Sequence, residues 1–457
     1  MKGIPLIKIA PNSRRFIDMQ PAALAVVVLF LFGLFPSSSR ASNALPAASD
    51  FNFHFQSTFT LQGNDRFKAP YSGANSLSPK ANGKETFDAT LYIGYRPWSG
   101  AEVWINPEID QGFGLSNTLG LAGYSSGEAY KIGAKKPYLK LPRFFLRQNF
   151  DLGGENEAID ADLNQFKSVR SKDHVTLTVG KFGVPDIFDA SVSAHDPRHD
   201  FLNWSVIDTG SFDYAADAWG YTYGVAAEAY VGRFVTRIGA FDMSNVPNSP
   251  TLDNFHQVQG VFEVEEHHSI NHLDGALRMT SFVSRARMAS FSQVLAQTPP
   301  GQVPNTATLR RYRSRSGVAI SADQVLTPDV SLFARLGVSD GHVETYEFTD
   351  IDRTGAIGLS VVGSAWHRGQ DRVGLALVDN AISRQHAAYL AAGGLGPLIG
   401  DGALPHKRDE HIFETYYSMP LTKTVVAALD YQYVQNPAYN KDRGPVSILG
   451  LRLHTQY

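Results

Sequence analysis

Several segments of this chain place charged, amide and aromatic side chains at every second position. In the segment AEVWINPE, residues 101–108, Glu102, Trp104 and Asn106 alternate with apolar residues. Carboxylate and amide groups hydrogen-bond hydroxyl groups, and the flat face of an indole packs against apolar C–H groups. Residues of these types at this spacing could therefore line a path for a solute that has both polar and apolar groups.

Other segments repeat this combination of aromatic and charged residues. The pairs are Tyr92 with Arg96, Tyr416 with Glu414, and Arg143 with Arg147, the last spaced as one step of a basic ladder. For any single residue, the simpler interpretation is a polar side chain that stays hydrated and pairs with a neighbouring strand. For the set as a whole, a path for a solute is the favoured interpretation.

The segment 184–215 concentrates further charged and aromatic residues, including Trp204. The candidates for solute contact in it are Asp189, His195, Asp196, Arg198, His199 and Asp200. One interpretation is an element that folds inward and narrows a channel, and the other is a solvated external loop. Its HDPRHD motif offers metal-ligand types, but Pro197 breaks any helix that would align the two histidines. We therefore expect no metal site and no cofactor.

The elements that would position these residues are β-strands. From Phe51 to Leu61, apolar residues dominate the odd positions and polar residues take the even ones. A strand points successive side chains to opposite faces, so this pattern predicts one apolar and one polar face. About sixteen such segments follow one another along the chain. An even number of strands of about ten residues is typical of a transmembrane antiparallel β-barrel, and we predict this all-β fold.

The connections between the predicted strands alternate in length. The links at 97–100 and 231–233 are short, whereas those at 63–84 and 184–215 are long. Outer-membrane barrels alternate short periplasmic turns with long external loops in this way. The link predicted at 151–171 is a short-side connection that is longer than the rule expects.

The charged residues indicate which face of each strand points inward. One arginine on the lipid side at mid-bilayer costs about 2–4 kcal/mol, and many of the predicted strands carry one. The polar faces must therefore line a lumen, and a barrel of about sixteen strands is wide enough to enclose water. The pore-lining candidates are Tyr92, Arg96, Glu102, Trp104, Asn106, Glu108, Arg143, Arg147, Arg237, Arg278, Arg315, Arg335, Glu414, Tyr416 and Arg452.

Composition and the N-terminal segment agree with an exported protein. The formal net charge of −3 at pH 7 argues against nucleic-acid binding, and the absence of cysteine excludes disulfides and thiolate metal sites. Basic residues precede an apolar run at 22–35, and small residues follow it. This order predicts a signal peptide over residues 1–44, with an uncleaved anchor as the alternative. Residues 45–457 would then form one β-barrel domain in the outer membrane of a Gram-negative bacterium.

Three stretches of the chain resemble the OprB family of carbohydrate-selective porins. They are GAEVWINPEIDQGFGLSNTLGLAGYSSGEAYKIG near the front, VGKFGVPDIFDASVSAHDPRHDFLNW in the middle, and the closing region from ETYYSMPLTK to Tyr457. The resemblance extends from about Phe53 to the last residue. It implies an outer-membrane porin that admits small carbohydrates down their gradient, and it assigns no substrate-contact residue.

The partners expected for such a barrel are small carbohydrates, outer-membrane lipid and the barrel-assembly machinery, which would read the C-terminal strand. A homotrimer is a further expectation. The alternatives are a general or anion-preferring porin, suited by the many arginines, and a plugged structural barrel. An enzyme housed in the barrel is the less favoured alternative, because neither His174 nor His454 has an evident serine partner.

Overall fold

A computed structural model describes residues 50–129 and 133–457, which form one antiparallel β-barrel of sixteen strands. The predicted signal peptide, residues 1–44, lies outside the described residues. The strands are β1 (Phe51–Asn64), β2 (Asn82–Tyr95), β3 (Ala101–Gly112), β4 (Ala134–Ile159), β5 (Ser168–Phe182), β6 (Thr222–Val231), β7 (Phe234–Asp242), β8 (Val258–Ile270), β9 (Leu273–Met288), β10 (Arg311–Thr327), β11 (Val330–Ser339), β12 (Arg353–Gly363), β13 (Arg368–Ala381), β14 (Glu410–Pro420), β15 (Val425–Gln435) and β16 (Val446–Gln456).

The barrel closes between its first and last strands. Strand β1 pairs antiparallel with β16, and Thr58 stands opposite His454 in their register. The backbone N–H groups of Phe55 and Tyr457 each donate to the other residue's carbonyl, at 2.9 and 2.8 Å. Closure leaves no unpaired sheet edge, which is the state that a membrane barrel requires. The predicted closed all-β barrel is therefore confirmed.

Alternation along each strand separates an apolar outer face from a polar inner face. In β1, Gln56, Thr58 and Thr60 are buried, whereas Phe53 has 58% of its surface exposed. In β16, Leu449 is 64% exposed. Contact with lipid favours apolar side chains on the outer face. On these strands the polar side chains are therefore the buried ones, and the apolar side chains are the exposed ones.

The connections define two different rims of the barrel. The links 232–233, 271–272 and 328–329 belong to the short-turn rim, whereas 183–221 and 382–409 belong to the long-loop rim. By the pattern of outer-membrane barrels, the short-turn rim corresponds to the periplasmic side. The long loops carry three short α-helices among the described residues, besides single turns of 3-10 helix. The α-helices are α1 (Trp204–Ile207), α2 (Phe291–Gln297) and α3 (Arg384–Ala391).

Helices play a minor part in this architecture. Helices α2 and α3 belong to different loops and contact each other through Phe291 and Tyr389, whose rings lie 5.0 Å apart. Within residues 50–129 and 133–457, no helix is both long enough and apolar enough to span a membrane.

One predicted connection has different bounds. The loop predicted at 151–171 is wrong, because β4 continues to Ile159 and β5 already begins at Ser168, leaving the turn 160–167. The extra length forms a two-stranded ribbon whose residues 150–156 are all exposed. Both faces of this ribbon are polar or solvated, so the sequence there shows no alternation of apolar residues that would predict a strand.

Candidate solute-binding site inside the barrel

The segment 183–221, between β5 and β6, lies inside the barrel. Residues 201–218 are all buried. Phe201 packs against two wall residues, with its ring 5.5 Å from that of Phe333 and 4.9 Å from that of Tyr416. The segment, named here the inward loop, is therefore not a solvated external loop.

Arginines of the barrel wall hold the backbone of the inward loop. Arg335 donates to the carbonyl oxygens of Val206 and, at 3.3 Å, Asp189. Arg452 donates to three carbonyl oxygens, those of Pro197, Asp200 at 2.8 Å and His199 at 3.0 Å. A buried guanidinium needs several acceptors, and a loop without sheet partners needs donors for its carbonyl groups. These arginines lie on the inner face, as the alternation predicts, and anchor the loop.

Carboxyl groups of the wall bind backbone N–H groups of the inward loop. Glu414 accepts hydrogen bonds from the N–H groups of Leu202, at 2.6 Å, and Asn203, at 3.2 Å. Glu263 accepts from the N–H group of Asp189 at 2.8 Å. Carboxyl oxygens of β8 and β14 thus accept from the loop backbone, so the loop is held from both sides of the lumen.

Arg198 of the inward loop extends to the wall formed by β2 and β3. Its guanidinium lies 3.4 Å from Asp88, 3.8 Å from Glu108 and 3.4 Å from Glu128. Arg198 was a candidate from the sequence, and the structure brings it together with Glu108, another candidate. Lys140 of β4 adds a second cation to this group, at 3.3 Å from Glu108.

Arg143 of β4 also contacts the inward loop. It donates to both carboxylate oxygens of Asp186, at 2.7 and 2.6 Å, and its guanidinium lies 5.0 Å from the ring of Tyr221. Burial alone would raise the pKa of Asp186, but Arg143 outweighs it and the pKa lies below its ordinary value. This bidentate pair fixes the start of the inward loop.

A cavity of about 220 Å³ opens between the inward loop and the wall. Its aromatic lining residues are Tyr124, Trp204, Tyr214, Trp219, Tyr221 and Phe348. Its charged or titratable lining residues are Glu128, Arg143, Asp186, His195, Asp196, Arg198 and Asp208. Four of the sequence candidates therefore meet here: Arg143, His195, Asp196 and Arg198.

The cavity combines a rigid aromatic surface with unsatisfied polar atoms. Tyr124 and Trp204 stack with their rings 5.2 Å apart and tilted by 13°. The Nε1 atom of Trp204 and Oδ1 of Asp208 are buried and have no hydrogen-bond partner in the protein. Burial raises the pKa of Asp208 to about 7, against the opposing charge of His195. Buried polar atoms normally have partners, so these two retain unused hydrogen-bonding capacity beside the cavity, and Nδ1 of His195 lies 3.7 Å from Oδ1 of Asp208.

A second cluster of candidates lies near the short-turn rim. Trp104 donates from Nε1 to Glu102 at 3.1 Å, and its ring lies 5.1 Å from that of Phe166. Arg96 lies 4.4 Å from the Phe166 ring centre, and Arg147 donates to the carbonyl of the turn 160–167 at Asn164. The turn therefore folds back over the lumen, away from the cavity.

Three further arginine candidates of the wall take part in ion-pair networks. Arg237 contacts Glu263 at 2.7 Å and Glu265 at 2.5 Å, and Arg278 contacts Glu265 at 3.1 Å. Arg315 is fully buried and contacts carboxylates of two loops, Asp213 at 3.4 Å and Asp352 at 3.1 Å. Tyr92 and Asn106 are buried on the inner face.

The other three loop candidates do not line the cavity. Asp189 is buried beneath the loop and accepts from the N–H group of Thr209 at 2.6 Å. His199 stacks edge-on against His454, with 4.5 Å between ring centres, and Asp200 lies 3.9 Å from Arg372. Within the described part of the chain, no group of three or more His, Asp or Glu side chains is arranged to hold a metal ion.

Sequence reasoning missed the aromatic residues Tyr124, Tyr214 and Tyr221, as well as Phe166. They lie in loops, where no alternation of side chains reports which way a residue points. The richness of the segment 184–215 in aromatic residues was the signal that could have found Tyr214. Nothing in the sequence around Phe166 indicates that its turn folds back.

Comparisons with known proteins agree with this architecture. The structure of OprB from Pseudomonas putida at high pH superposes with a TM-score of 0.67 and 16% identity, over 89% of this chain and 94% of that one. The channel DcaP of Acinetobacter baumannii has a TM-score of 0.50 and 10% identity, over 89% and 97% of the two chains. No curated protein sequence matches this chain.

At these identities the solved structures show the fold alone. The family model described as carbohydrate-selective porin, OprB family, matches residues 74–457, which is most of the chain. Together with the closed barrel and the polar lumen, this match shows that the chain belongs to the OprB family of carbohydrate-selective porins.

Proposed function

We propose that this porin lets small carbohydrates diffuse passively across the outer membrane and binds them, in transit, in the cavity beside Trp204. The observation that carries the proposal is the pairing of an aromatic surface with unsatisfied polar atoms. Trp204 and Tyr124 offer flat faces, and the Trp204 Nε1 atom and Asp208 Oδ1 offer a donor and an acceptor. A sugar ring has apolar C–H faces and hydroxyl groups that fit both features.

The charges around the cavity favour a neutral solute over an anion. The two guanidinium groups, Arg143 and Arg198, already contact carboxylates. The lining carboxyl groups outnumber them and are Glu128, Asp186, Asp196 and Asp208. A cavity whose lining has an excess of acidic groups disfavours anions, so binding of a neutral sugar in it is better supported than binding of an anion.

The same proposal covers export and assembly. The family and the fold favour a channel over an enzyme, and they imply the outer membrane. We infer that residues 1–44 are a signal peptide that directs the chain across the inner membrane. The barrel-assembly machinery would read β16, outer-membrane lipid would contact the apolar outer face, and a homotrimer remains a proposal.

The experiment is planar-bilayer conductance of the refolded protein with increasing glucose, compared with citrate and phosphate. The key variant is Trp204→Phe, which keeps an aromatic face and removes the indole N–H. One hydrogen bond contributes about 0.5–1.5 kcal/mol, so the half-blocking sugar concentration should rise about two- to tenfold. Trp98→Phe, at an exposed short turn, is the matched control and should leave the block unchanged.

Two outcomes would contradict the proposal. Current that responds to citrate or phosphate but not to glucose would indicate an anion-preferring or general porin. A folded barrel that conducts no ions would indicate a plugged structural protein.

A further inference from the structure

On the long-loop rim, the outer face of the barrel carries two arginines on β9, whereas β12 carries a single exposed one, Arg353. Along β9, the outward side chains are first apolar, with Met279 and Val283 about half exposed. The same face then continues with Arg285 and Arg287, both exposed. On the opposite side of the barrel, the corresponding outward residue near this rim of β16 is Leu449. An outward arginine is costly at mid-bilayer but tolerated near the interface, so this pair fits a position level with the lipid headgroups.

Strand β10 extends this feature beside β9. Tyr312 stands opposite Arg287 and Ser314 stands opposite Arg285 in the strand register. The guanidinium of Arg285 lies 5.9 Å from the Tyr312 ring centre. Residues two apart on a strand are separated by about 7 Å, so the two arginines and Ser314 form one compact surface. We name Arg285, Arg287, Tyr312 and Ser314 the rim patch.

The positive charge near the rim patch is only partly neutralised. Arg287 lies 3.7 Å from Asp253, which is a long ion pair. Arg311 and Arg313, next to the patch, both donate to the neutral amide oxygen of Gln293. Among the described residues, no carboxylate lies within ion-pair distance of Arg285. The patch therefore presents net positive charge to the membrane interface.

The position of the rim patch indicates the chemistry of its partner. The long-loop rim faces the outer leaflet, given the outer-membrane location proposed above. The outer leaflet there consists of glycolipids that carry phosphate groups on a sugar headgroup. Guanidinium groups bind phosphate oxygens in bidentate pairs, a hydroxyl such as Ser314 adds a donor, and Tyr312 suits the interface between headgroup and chain.

We propose that the rim patch binds the phosphorylated headgroup of an outer-leaflet glycolipid. Arg285 and Arg287 contact the phosphate, and Val283 and Met279 below them contact the acyl chains. The site is independent of the lumen, because its side chains point away from the inward loop and the cavity.

The test is binding of bisphosphorylated lipid A to the folded full-length barrel in detergent, measured by native mass spectrometry. The double variant R285Q/R287Q should bind at least about tenfold more weakly than the wild type. The matched control is Arg233→Gln, an exposed arginine on the short-turn rim, and it should bind as the wild type does. Sugar-blocked conductance should be the same in all three proteins, which separates this proposal from the proposed function.

Further arms separate the source of the phosphate and guard against misfolding. Lipid A without its phosphates should bind weakly to the wild type, and inorganic phosphate alone should not compete at equal concentration. Should the double variant fail to fold, Ser314→Asp places a negative charge beside the phosphate and should weaken binding similarly. Equal binding by wild type and variants, or by phosphorylated and dephosphorylated lipid, would overturn the proposal.

Discussion

The buried arginines of the barrel wall act by holding the inward loop. Arg335 has 1% of its surface exposed and lies against the carbonyl of Val206 and the carboxylate of Asp189, the latter at 3.8 Å. Taking a guanidinium out of water is costly unless all its donors find acceptors. The geometry of loop and wall therefore depends on these residues, and removing Arg335 leaves the buried carboxylate of Asp189 without its cation.

Arg335→Met should accordingly destabilise the inward loop. Breaking a buried ion pair costs about 3–5 kcal/mol, and we expect a loss of this order in the free energy of unfolding. Denaturant unfolding of the protein in lipid vesicles measures it. The control is Arg372→Met, because Arg372 is half exposed and lies 3.9 Å from Asp200, so about 0–1 kcal/mol is expected. Equal losses in the two variants would contradict the anchoring role.

Asp208 should make ion selectivity depend on pH near neutrality. Its pKa is raised by burial to about 7, from an ordinary value of about 3.9, so the carboxyl is neutral below that pH and charged above it. We expect the permeability ratio of cations to anions to rise as the pH increases from about 6 to about 8. Reversal potentials in a salt gradient measure this ratio. Asp208→Asn should remove this part of the pH dependence, and an unchanged profile would contradict it.

The same pKa has a consequence for stability with a definite sign. A carboxyl whose pKa is raised in the folded state favours folding below its unfolded pKa. That contribution is lost as the pH rises through about 7, the folded pKa. Relative to Asp208→Asn, the wild type should therefore lose stability between about pH 4 and pH 7 and change little above it.

Single residues also show what the sequence could and could not predict. The inner face was predictable for Arg335, Arg452 and Glu414, because a strand has only two faces and lipid excludes arginine. Their partners were not predictable, since these belong to a loop that lies far away in the chain. Trp204 and Tyr124 belong to different loops, so their stacking could not be predicted from the sequence either.

At the scale of elements, the hairpin of β4 and β5 departs most from the expected pattern. Its ribbon beyond the short-turn rim is exposed on both faces, so no apolar period marks it as a strand. Its turn is nevertheless fixed: Asn52 donates to the carbonyl of Gln165 at 3.2 Å, and Arg96 to that of Lys167 at 2.9 Å. The turn therefore narrows the lumen near Trp104.

Phe166→Ala should release this turn and increase single-channel conductance. Phe166 is nearly fully buried and fills the space between Trp104 and Arg96. Losing such a ring costs about 3–5 kcal/mol of packing, which exceeds what a few exposed hydrogen bonds can replace. The control is Phe255→Ala, since Phe255 is half exposed in a long loop. Unchanged conductance in Phe166→Ala would show that the turn does not limit the flow of ions.

At the scale of the whole molecule, closure of the barrel follows from simple rules applied many times. Sixteen amphipathic strands with alternating short and long links leave two unpaired edges, and pairing β1 with β16 removes both. This global result was predictable because it needs only the period of each strand. The bounds of the links and the path of the inward loop depend on packing inside the lumen, which no local pattern reports.

The register of closure gives a direct test, because the chain has no cysteine of its own. Thr58 and His454 are opposite each other on β1 and β16, and their side chains lie 3.0 Å apart at Oγ1 and Nδ1. The double variant T58C/H454C should form a disulfide, since opposed residues place their Cβ atoms about 4.5–5.5 Å apart and small shifts reach the 3.5–4.5 Å that the bond needs. The bond would join the first and last strands of the chain. The unreduced, unfolded chain should therefore migrate differently in a gel from the reduced one. The pair T60C/H454C, shifted by two residues, is the matched control and should cross-link far less. Equal cross-linking of the two pairs would mean that the register between β1 and β16 is not fixed. The inner face of β16, including Arg452, would then not be fixed against the inward loop.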